Sequence, residues 1–173
     1  MKSNTIELVT EVDSEGTPIR RETFVTRPTI KFSLVYECVS FLSSLKDDPT
    51  NNELHQMMDL VVRIYDEQFS KNLLIDGLPS HSAVFQLYEQ IIWVASGKHI
   101  DEEIADDAKS TTVNSWEDYK NNLKATIQDM TKDGNQSVNT VLDLPFFFVF
   151  DELNGEAKKK EESSSMLGAF GVE

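Results

Sequence analysis

Residues 54–97 read LHQMMDLVVRIYDEQFSKNLLIDGLPSHSAVFQLYEQIIWVASG, and the spacing of the large apolar residues in this stretch decides the fold class. Leu54, Met57, Met58, Val61, Ile64, Tyr65 and Phe69 recur at three- and four-residue steps, which aligns them on one face of a helix. Ser70 offers its hydroxyl to free amides, so a new helical turn starts at Lys71. Gly77 is expected in the left-handed conformation that closes this turn, and Pro79 prevents its continuation. A further helix begins near Ser80 to Ser82, carries Val84, Leu87, Tyr88, Ile91, Val94 and Ala95 on one side, and stops at Gly97. Two amphipathic helices around a short capped connector, with no cluster of reactive side chains, mark a chain that binds protein.

Upstream, residues 5–13 and 19–26 alternate partially between apolar and polar, joined by the turn-forming group Ser14, Glu15, Gly16, Thr17 and Pro18. An isolated hairpin is marginal in water, so this one must pack on the helices. A first helix is expected from Lys31 to Leu45, with Leu34, Val35, Cys38, Phe41, Leu42 and Leu45 facing inward. Asp47, Asp48, Pro49, Thr50 and Asn51 read as a polar loop. The fold class expected is mainly α: a small helical bundle with an N-terminal β-hairpin, a short C-terminal helical unit and a disordered tail.

Downstream of Gly97 the composition changes. Asp101, Glu102, Glu103, Asp106 and Asp107 crowd a segment poor in large apolar residues, and such like-charge density opposes compaction. The chain is therefore divided into a hairpin and helical domain at 1–98, an acidic linker at 99–114, a helical unit at 115–155 and a disordered tail at 156–173. In the helical unit, Ser115 and Asp118 form an approximate capping box, and Trp116, Tyr119, Leu123, Ile127 and Met130 lie along one stripe that ends at Gly134. Ser137 caps one further turn. Residues 144–156, LPFFFVFDELNGE, hold more phenylalanine than a helix of three turns can hide against one neighbour. Full burial of each is worth about 1.5–3 kcal/mol, so these rings either pack on the Trp116 helix or meet a partner.

Composition narrows the function. The chain has 173 residues, 39% of them hydrophobic, enough for one ordinary core. Its single cysteine, Cys38, sits among Tyr36, Val39 and Phe41 and reads as a buried apolar residue. No signal peptide and no membrane span are expected, and the host bacterial cytoplasm is the expected location. A net charge of −14 argues against nucleic acid, whose phosphates need a clustered basic surface. The densest basic group outside the tail, Arg20, Arg21, Arg27 and Lys31, reads as a solvated strand edge, where charges discourage edge-to-edge pairing.

The run YDEQFSKNLLIDGLPS at 65–80 resembles the tail assembly chaperones of long-tailed phages and prophages of Gram-positive bacteria. The elements that carry the resemblance are Tyr65, Gln68, Phe69, the apolar step from Leu73 to Leu78, and Gly97. The opening IELVTEVDSEGTPIRRETFVTRPTI at 6–30 is similar to the hairpin that leads into the first helix of that family. The resemblance spans roughly residues 5 to 100. It implies a chaperone that holds the tape measure protein soluble, recruits the major tail tube protein and is absent from the mature virion. No catalysis and no cofactor are implied, and a homo-oligomer is compatible with it.

Contact residues for such a partner are expected among the large apolar residues least easily assigned to one stripe: Phe69, Leu73, Leu74, Trp93, Phe146, Phe147, Phe148 and Phe150. Catalytic or metal-binding constellations are not expected. His55, His81 and His99 lack zinc-ligand spacing, and Pro49 breaks the calcium-loop pattern of residues 47–53. No glycine-rich phosphate loop is present. The alternative reading is an acidic helical inhibitor or regulator that presents the Asp101 to Asp107 cluster to a basic host protein. A tail completion component of the virion is a third.

Overall fold

A computed structural model describes residues 3–45, 49–97 and 115–146, and it is mainly helical with an N-terminal hairpin, as the periodicity implies. The elements are β1 (Thr5–Val12), β2 (Pro18–Val25), α1 (Phe32–Ser44), α2 (Asn51–Ile64), α3 (Lys71–Gly77), α4 (Ala83–Ser96), α5 (Trp116–Asp133) and α6 (Val138–Asp143). The acidic linker, the tail, His99, Phe147, Phe148 and Phe150 lie outside the described residues.

β1 and β2 pair antiparallel, Thr5 opposite Val25 through Val9 opposite Arg21, with shifts in register between Val9 and Glu11 and again between Glu11 and Val12. The turn is held by Asp13, whose carboxylate accepts from the amides of Glu15 (2.9 Å) and Thr17 (2.8 Å), and by Gly16 at φ 83°. The hydrogen bond from Thr17 keeps the Asp13 carboxyl below its usual range. Ile6 and Leu8 point into the core while their neighbours Thr5 and Glu7 face solvent, the alternation of a half-buried strand.

Capping side chains start the helices. Ser70, Ser115 and Ser137 accept from the amides of Leu73, Asp118 and Thr140. The loop expected at 47–51 is shorter than anticipated. Thr50 caps α2 in a reciprocal box, its hydroxyl taking the Glu53 amide and the Glu53 carboxylate taking the Thr50 amide at 2.7 Å, so the helix begins at Asn51. The helix also ends earlier than the apolar stripe implies. Asp66 (φ 55°) and Glu67 (φ 58°) turn the chain through two left-handed residues, which swings Phe69 back onto the hairpin.

Gly77 is corrected. It is the last residue of α3, and its φ is not positive. Its missing side chain serves a close approach instead: a Cβ there would lie 2.9 Å from the Val9 carbonyl oxygen and 3.0 Å from the Leu8 Cβ. α3 thus rests directly against β1. Gly97 ends α4 as expected, and it does so in the left-handed conformation, at φ 75°.

α4 packs against both α1 and α2, and α5 and α6 pack on α1. The short stretch before α1 pairs with the stretch after α6: Phe32 donates to the Leu144 carbonyl (2.9 Å) and Phe146 donates to the Ile30 carbonyl (2.8 Å). The rings of Phe32 and Phe146 stack at 6.1 Å beside this bridge. Leu123, Val141 and Phe146 join the same cluster of buried residues as Ile6, Tyr65 and Trp93. Cys38 is fully buried, and burial pushes its thiol well above the usual range, as its apolar neighbours led one to expect.

Two substitutions test these backbone readings. Gly77→Ala forces β1 and α3 apart and is expected to cost about 1–3 kcal/mol, read from the urea unfolding midpoint. Glu67→Gly relieves a left-handed residue and is expected to raise stability by up to about 1 kcal/mol in the same assay.

Candidate partner-binding surface

The connection between α3 and α4 is built from a cap, a close packing and a break. Ser70 starts α3, Leu74 and Gly77 bury its inner face, and Pro79 ends any continuation. Gln86 Nε2 then donates to the Ser82 hydroxyl at 2.9 Å, tying the first turn of α4 to its cap residue. This corner leaves three large apolar side chains in solvent: Ile75 is 46% exposed, Val84 45% and Phe85 56%. Val84, expected on the inward stripe, is corrected to the surface. Burial along α4 takes in Leu87 and then Gln90 through Ala95, while in its first turn Ala83 packs against the core and Val84 and Phe85 face solvent. The remaining exposed large apolar residues among those described are Val12, Ile19 and Val25 on the hairpin and Val138 on α6.

The expected contact group is divided by the structure. Phe69, Leu74, Trp93 and Phe146 are core residues. Phe69 meets Phe24 edge-on at 4.9 Å and Tyr65 at 5.3 Å, which closes the hairpin over α2. Leu73 is partly buried against the core. Phe147, Phe148 and Phe150 are outside the described residues. Phe85, which no stripe had singled out, is the most exposed aromatic side chain described. Its signal was available: two residues before Leu87, it falls on the side of the helix opposite the Leu87, Ile91, Val94 stripe.

A buried polar network fixes the frame behind this corner. Gln90 Oε1 accepts from the Tyr65 hydroxyl (2.7 Å) and from Asn4 Nδ2 (2.8 Å), while the Asn4 amide donates to Thr26 Oγ1 (2.8 Å). Burial drives the Tyr65 phenol well above its usual range, so it stays a neutral donor. The basic residues of the hairpin and of the stretch that leads into α1 are paired: Arg20 with Glu22, Arg21 with Glu7, Arg27 with Asp66 and Lys31 with Asp143. Among the described residues, no group of three histidine, cysteine, aspartate or glutamate side chains is placed to hold a metal ion, and no helix is long and apolar enough to cross a membrane.

A family model described as phage tail chaperone protein matches residues 1–112, which takes in the hairpin and α1 to α4. No curated protein and no solved structure matches the chain.

Adjacent residues of α3 separate core from surface. Leu74 is 0% exposed, and Leu74→Ala is expected to cost about 2–5 kcal/mol. Ile75→Ala is expected to change stability by less than about 1 kcal/mol. Thermal and urea denaturation of the two variants, side by side, measure the difference.

Proposed function

The chain belongs to the phage tail chaperone family, and from that premise we propose that it holds the tape measure protein soluble, brings it to the major tail tube protein, and leaves before the particle is complete. It acts in the host cytoplasm through apolar contact, with no cofactor and no chemical step.

The observation that carries this reading is the α3–α4 corner, where Ile75, Val84 and Phe85 stand in solvent on a body whose other helical apolar faces are largely packed. A long helical client exposes apolar stripes that aggregate when uncovered, and a rigid apolar surface of complementary shape shields them. Because the corner lies inside the matched residues, its role is assigned to the chaperone part of the chain rather than to α5 and α6. The net charge of −14 keeps the chaperone itself from associating nonspecifically while this surface is open. Displacement by the growing tube requires only that tube subunits bind the same client surface more tightly.

Co-expression with the tape measure protein tests the proposal. The native chain is expected to move that partner into the soluble fraction, and the triple variant Ile75→Ser, Val84→Ser, Phe85→Ser is expected to lose most of this effect while keeping its circular dichroism spectrum. The complex should persist in high salt, since apolar capture is little screened. A partner that is equally insoluble with and without this chain would count against the reading.

A further inference from the structure

α1 is apolar on more sides than a helix with one neighbour needs. An ordinary surface helix carries a stripe roughly 100° wide, but on α1 the apolar positions run from Phe41 through Cys38, Leu42, Val35 and Val39 to Phe32, about 220° of the circumference on a 3.6-residue turn. α4 packs on this helix, and so do α5 and α6. Lys120 of α5 reaches the Ser43 hydroxyl at 3.4 Å, and Phe146, just beyond α6, stacks on Phe32 at 6.1 Å. Phe32, Val35, Val39 and Ser43 follow at three- and four-residue steps, so these contacts mark one face of α1 as the seat of α5 and α6. Phe32, Val35 and Val39 are fully buried on it. The family match at residues 1–112 takes in α1 with its whole apolar arc and ends before α5 begins.

The cover is one amphipathic helix, lightly held. Among the described elements α5 rests mainly on α1 and, beyond it, on α6. Its stripe of Trp116, Tyr119, Leu123, Ile127 and Met130 has a single fully buried member, Leu123, and the other four are only partly buried against the core. Its polar ties are weak: the Lys120 bond is long, and Lys31 and Asp143 pair with both side chains about two-thirds exposed, where ion pairs contribute little. We infer that this face of α1 is a binding site for an amphipathic helix of the client, and that α5 is its built-in, exchangeable occupant. α5 displays the chemistry the site takes, a helix presenting one aromatic and aliphatic stripe of about four turns. A tethered occupant competes at high effective concentration, so the face stays shielded in the free chaperone and yields only to a helix that binds it better than α5 does. The identity of the displacing helix rests on the chaperone reading above; the site itself does not.

A disulfide tests the exchange in the full chain. Phe32 donates to Leu144 and Phe146 donates to Ile30, so Lys31 and Pro145 between them form a non-hydrogen-bonded pair. Such pairs hold their Cα atoms about 4.5 Å apart, within reach of a disulfide. The double variant Lys31→Cys, Pro145→Cys therefore locks the end of α6 to the start of α1 when oxidised and frees it when reduced, while Cys38 stays buried. The probe is a fluorescein-labelled peptide of residues 115–134, followed by anisotropy. It is expected to bind the oxidised variant about tenfold more weakly than the reduced one, because the lock lowers the fraction of chain whose site is open. The full chain with Leu123→Asp, whose own α5 is released, is expected to bind it about tenfold more tightly than the native chain, and a peptide carrying Leu123→Asp is expected not to bind. Equal binding to the oxidised and reduced forms overturns the proposal even if Leu123→Asp unfolds the chain. In a second arm the tape measure protein is diluted from urea, and the oxidised variant is expected to need about tenfold more chain than the reduced one to suppress its turbidity; equal suppression by both refutes the client as the displacing helix. If the native chain suppresses no turbidity at all, the chaperone reading fails, and the peptide arm still decides the site.

Discussion

The carboxamide oxygen of Gln90 is the point at which the three parts of the fold meet. A two-stranded hairpin does not hold itself together in water, and this one is fixed because Asn4, at its base, and Tyr65, at the end of α2, both donate to the same acceptor on α4. Each bond contributes about 0.5–1.5 kcal/mol net, but the stronger constraint is the cost of about 1–3 kcal/mol for leaving such a buried group unsatisfied. Few alternative packings would satisfy Gln90, so the network selects one placement of the hairpin over the helices. Phe24 and Phe69 then close the seam, and α3 is set against β1 closely enough that only glycine fits at position 77.

Much of this architecture was legible because its determinants are local. Serine caps at 70, 115 and 137, the helix stop at Gly97, the helix break at Pro79 and the alternation of β1 are decided within a few residues, and the local sequence places each correctly. The reciprocal cap of Thr50 and Glu53 is equally local and was hidden by the polar run before it, which reads as loop. Gly77 shows a limit of another kind. A left-handed cap and a close approach both demand the absence of Cβ, so one residue type satisfies either, and only the position of β1, at Leu8 and Val9 far earlier in the chain, distinguishes them.

The candidate surface was less legible than the fold for a related reason. Periodicity separates a helix's apolar side from its polar side, but it does not say how far along the helix a neighbour extends. Phe69, Leu74 and Trp93 do not fit a single stripe, yet the left-handed turn at Asp66 and Glu67 carries Phe69 onto the hairpin, α3 buries Leu74 as it packs on β1 and α2, and Trp93 is buried on α4, which packs on α1 and α2. In the first turn of α4 Ala83 packs against the core while Val84 and Phe85 turn outward. Such ends are set by tertiary contact, as is Gln90, whose place in the run YEQIIWVAS carries no sign of the tyrosine and asparagine that meet it.

Leaving Phe85 more than half exposed forgoes on the order of 1 kcal/mol of burial, and three such side chains forgo a few, against a total stability of roughly 5–15 kcal/mol for a domain of ordinary size. A core as extensive as this one tolerates that deficit, which is the physical condition for a chaperone that keeps an apolar surface open while folded.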